Sequence, residues 1–110
     1  MVEKTQLVEQ LVQEIVAINH AWKVARKLFG EDSPLSTSSR DLKTCLQVRL
    51  LRSYAPEQVY LVEDEEVEGE ELYSLRLRKP IGSRQDVEHL PVRVANEVFT
   101  DTELRRFTNK

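Results

Sequence analysis

Between Val8 and Phe29 the apolar residues Val8, Leu11, Ile15, Ile18, Trp22, Ala25 and Phe29 recur at spacings of 3, 4, 3, 4, 3 and 4. A run of that period is the a/d seam of an amphipathic helix, and no strand or loop accommodates it. Leu7, Val12, Val16, Val24 and Leu28 broaden the seam into a wide apolar face, while Gln13, His20 and Lys27 fall on the opposite, solvent side. Glu3, Glu9 and Glu14 lie in the first half and Lys23, Arg26 and Lys27 in the last turns, as the helix dipole favours, and Gly30 supplies a C-terminal cap. About 25 helical residues span roughly 38 Å at 1.5 Å each. A domain of this size has a radius of gyration of about 13 Å, so the helix is as long as the body it belongs to. It either covers a sheet of its own chain or pairs with a second copy, and the face is wide enough for both.

The remaining segments predict a sheet and a second helical region. Residues 30–39 are rich in turn formers, and Ser38 and Asp41 have capping-box spacing. Leu46, Val48 and Leu50 alternate with Gln47 and Arg49, which is strand periodicity. These signals predict a helical turn over 39–43 and a strand over 44–52. Ala55-Pro56-Glu57 reads as a turn, and 59–62 as a β-rich strand. In 72–78 Tyr73, Leu75 and Leu77 face one side and Ser74, Arg76 and Arg78 the other, a half-buried antiparallel strand that Pro80 and Gly82 end. From Leu90 through Val94, Ala95 and Val98 the spacing turns helical, with Pro91 in the first turn; Thr100 and Glu103 have capping-box spacing. The expected fold is α+β: a long N-terminal amphipathic helix packed on a small antiparallel sheet of about three strands, with a C-terminal helix. One domain over 1–110 is expected, with the helix in 1–30 and the sheet and C-terminal helix in 40–110.

Bulk properties bound the function. Apolar residues make up 40% and charged residues 32% of 110, which suits a globular domain with a real core. The longest aliphatic run, residues 15–18, is far too short to span a membrane. One cysteine, Cys45, excludes an internal disulfide and suits a reducing compartment, so a cytoplasmic location is expected. Residues 63–71 hold seven acids and no base; without them the net charge of −3 becomes +4. The following stretch, 72–84, carries Arg76, Arg78, Lys79 and Arg84 and no acid.

Few residue types suited to catalysis are present. Cys45, His20 and His89 have no metal-ligand spacing, the three glycines form no phosphate-cradling loop, and the acidic run lacks the order of a calcium loop. His20 reads as a surface residue, His89 as structural, and Cys45 as a small core residue. No cofactor is expected. The chain therefore reads as a non-catalytic protein–protein interaction module: a small cytosolic regulator, assembly factor or accessory subunit. Its candidate self-association helix is the Val8–Phe29 seam, and its candidate partner surface is Arg49, Arg76, Arg78, Lys79 and Arg84. The alternative is a nucleic-acid-associated regulator in which Arg49, Arg76 and Arg78 share one sheet face. Against it stand Tyr73 on the opposite face and a pI of 5.4.

Overall fold

The computed structural model describes residues 4–64 and 69–108, with side chains from Leu7 onward; the centre of the acidic run, 65–68, and the expectations placed on it lie outside the described residues. Among the described residues the order is α1 (Lys4–Phe29), α2 (Pro34–Tyr54), β1 (Val59–Glu63), β2 (Leu72–Ile81), β3 (Arg84–Pro91), α3 (Val92–Val98) and α4 (Asp101–Phe107). The class is α+β, with a long N-terminal helix, a three-stranded antiparallel sheet and helices at the C-terminus. Contacts divide the chain into two compact units, Met1–Arg49 and Leu50–Lys110.

In the first unit α1 ends as expected: Gly30 adopts φ +90 and its N–H donates to the Arg26 carbonyl at 3.0 Å. Val8, Leu11, Val12, Ile15 and Ala25 are buried, with Ile15 wholly inaccessible. Ile18 and Trp22 are only half-buried, and Phe29 is exposed. Asn19, at 4% exposure, joins the buried side.

Residues 44–52 are not a strand. They belong to α2, which also absorbs the expected loop over 34–39. The helix starts at Ser33, whose Oγ accepts from the Ser36 N–H at 3.1 Å, with Pro34 at the first helical position. The Ser36 hydroxyl donates to the Gly30 carbonyl at 2.7 Å and ties the connection shut. Ser36, Ser39, Gln47, Leu50, Leu51 and Tyr54 are buried and Lys43 half-buried, a stripe of helical period whose first half is polar. That polarity hid the helix, because the apolar Leu35 and Leu42 point outward. Cys45 is likewise exposed rather than a core residue, about 200° around the helix from Gln47. The Lys43 ammonium lies 4.9 Å from the Trp22 ring, and Leu46 shares a groove with Ile18. As one number rises the other falls, so α1 and α2 form an antiparallel hairpin.

In the second unit the sheet order is β1-β2-β3. Its third strand is β3, not 44–52. In the register, Ser74 pairs with His89 and Arg76 with Asp86, so one residue of β2 faces two of β3. Glu88, at φ +65, sits in that bulge. The bulge sends both Val87 and Leu90 inward at a spacing of three, both wholly inaccessible, which erases the alternation that marks a strand. The turn into β3 is Gly82-Ser83, flanked by the Ile81–Arg84 pair; φ +61 at Gly82 meets the demand of a two-residue hairpin for a left-handed first position. Strand β2 runs through Pro80 to Ile81, where the pairing is irregular.

Val59, Leu61, Tyr73, Leu75, Leu77, Val87 and Leu90 supply the buried side of the sheet. Helix α3 packs by β3 and α4 by β1. Phe99 and Phe107, edge to face with centroids 4.8 Å apart, join the buried set. Pro91 caps α3 one residue outside the helix, and Thr100 and Glu103 form the expected capping box of α4. Arg52 locks this tail. Its guanidinium donates to both Glu103 oxygens, at 2.9 and 3.3 Å, and to the Val98 carbonyl at 3.2 Å, while Arg106 donates to the Arg52 carbonyl at 3.4 Å. The hydrogen bond from Arg52, then that from the Thr100 N–H, holds the Glu103 carboxyl below its ordinary range.

Candidate interaction surface

Helical period places Leu7, Glu14, Ala17, Ala21, Val24 and Leu28 on one side of α1, away from the buried stripe. Leu35, Leu42, Leu46 and Arg49 occupy the corresponding side of α2. Because the helices are antiparallel and adjacent, the two rows form one outer face of the hairpin. Leu7, Val24, Leu28, Leu35 and Leu42 are 40, 41, 66, 56 and 49% exposed. At its centre a groove of about 380 Å³ is lined by Glu14, Ala17, Ile18, Leu42 and Leu46. Five large aliphatic side chains left in water along one face constitute a patch that a monomeric domain rarely carries without use.

The expected seam residues do not form this surface. Val8, Leu11, Ile15 and Ala25 are interior. Trp22 is flanked by the Arg26 guanidinium at 4.5 Å and the Lys43 ammonium at 4.9 Å. The outer row was legible in the sequence only as a broadening of the seam. Its partner row on α2 was hidden by the strand reading.

The arginine surface is dispersed. Arg49 lies on α2, so the sheet face expected to join it with Arg76 and Arg78 does not exist. Arg76 and Arg78 do share the outer face of β2 with Tyr60 of β1, which pairs with Arg76 in register. Arg76 Nε donates to Ser74 Oγ at 3.0 Å; Arg78 Nε donates to the Pro56 carbonyl at 2.8 Å, with its guanidinium 4.3 Å from the Tyr60 ring. Lys79 is exposed, and Arg84 reaches Asp86 at 3.7 Å and Glu88 at 3.5 Å. Tyr73 points to the buried side, as expected; burial first, then the Glu63 and Glu71 carboxylates, push its phenol up.

Nor do the described acids of the 63–71 run lie over Arg78. Glu63 pairs with Tyr73 at one end of the β1–β2 hairpin, while Arg78 pairs with Gln58 at the other. Five residues of strand separate Tyr73 from Arg78, about 17 Å at 3.3–3.4 Å each. That is about twice the screening length of 8 Å at physiological salt. Glu70 instead reaches Arg93 at 3.2 Å, and Asp64 Oδ2 lies 2.9 Å from His89 Nε2. Ser74, opposite His89, is only 3% exposed. Among the described residues no group of three or more His, Cys, Asp or Glu is placed to hold a metal, and no helix is long and apolar enough to cross a membrane. No family model, curated protein or solved structure matches this chain.

Proposed function

We propose that this chain is a non-catalytic protein–protein interaction module, a small cytoplasmic regulator, assembly factor or accessory subunit, that docks through the outer face of the α1–α2 hairpin. The exposed row of Leu7, Val24, Leu28, Leu35 and Leu42 around an apolar groove carries this reading. A helical partner laid along such a groove buries anchors at turn-to-turn spacing. A photoreactive side chain at Leu42 tests the reading. Cross-linking in the native host should yield polypeptide adducts from Leu42 and none from Lys27, on the far side of α1. Equal yields at the two positions overturn it.

A nucleic-acid role keeps one specific observation: Tyr60, Arg76 and Arg78 share one face, and exposed Lys79 is the next residue in the chain. Salt-sensitive binding of labelled RNA or DNA that falls on replacing Arg76 and Lys79 with Ala supports that role; no binding at low salt removes it.

A further inference from the structure

We draw no further inference here: the strongest candidate, the exposed apolar face of the α1–α2 hairpin around Ala17, Ile18, Leu42 and Leu46, belongs to the surface already described, and nothing in the structure shows what covers it.

Discussion

Ile15 is the most direct probe of whether α1 organises its unit, because its side chain is wholly inaccessible and sits mid-helix. Ile15→Ala removes three carbons, which at about 0.8 kcal/mol each cost about 2.4 kcal/mol of transfer free energy. The void of about 80 Å³ adds up to about 1.9 kcal/mol at 24 cal/mol per Å³ if nothing relaxes into it. The expected loss is therefore about 2.5–4 kcal/mol, and with a urea slope of about 2 kcal/mol per molar the midpoint falls by roughly 1–2 M. Ile15→Val, which removes one carbon, should cost about 0.5–1.5 kcal/mol and give a graded series. Trp22 reports from the same helix, so fluorescence and far-ultraviolet circular dichroism follow the transition together. All melts belong at one protein concentration, since self-association shifts apparent stability by mass action. If Ile15→Ala and Ile15→Val both lie within about 0.5 kcal/mol of wild type, as surface substitutions do, the helix does not pack as described.

Three further outcomes follow from particular contacts. The Glu103 carboxyl, held low by Arg52 and the Thr100 N–H, contributes stability that is present above its ordinary value of 4.5 and is lost as pH falls through the depressed folded value. The urea-midpoint gap between wild type and Glu103→Gln should therefore shrink from pH 7 to pH 3; a constant gap contradicts the Arg52 clamp. Gly82→Ala forces an alanine to φ +61 and should cost about 1–2 kcal/mol in thermal melts, whereas Gly82→Asn should cost less. Asn19 is 4% exposed and its Oδ1 accepts no hydrogen bond among the described residues, so Asn19→Leu should be neutral or raise the urea midpoint, by as much as about 1–3 kcal/mol in stability; a clear loss indicates that Asn19 meets a polar partner.

What the sequence determined by itself was local. The 3-4 spacing from Val8, the cap at Gly30, the Thr100–Glu103 box and the alternation of Tyr73, Leu75 and Leu77 each depend on neighbours within a turn or a strand step, and each stands in the structure. Elements whose buried side is not apolar, or not regular, were settled by tertiary structure. Helix α2 buries Ser36, Ser39 and Gln47 because the fold turns that side inward, leaving Leu35, Leu42 and Cys45 in water. A pattern search that equates inward with apolar reads such a helix backwards. Strand β3 buries Val87 and Leu90 through the bulge at Glu88, and a bulge exists only against a partner strand. The candidate surface shares that origin. One half of it lies on α1 and the other on α2, and nothing short of pairing the helices shows that Leu42 and Leu46 complete the face that Ala17 and Ile18 begin.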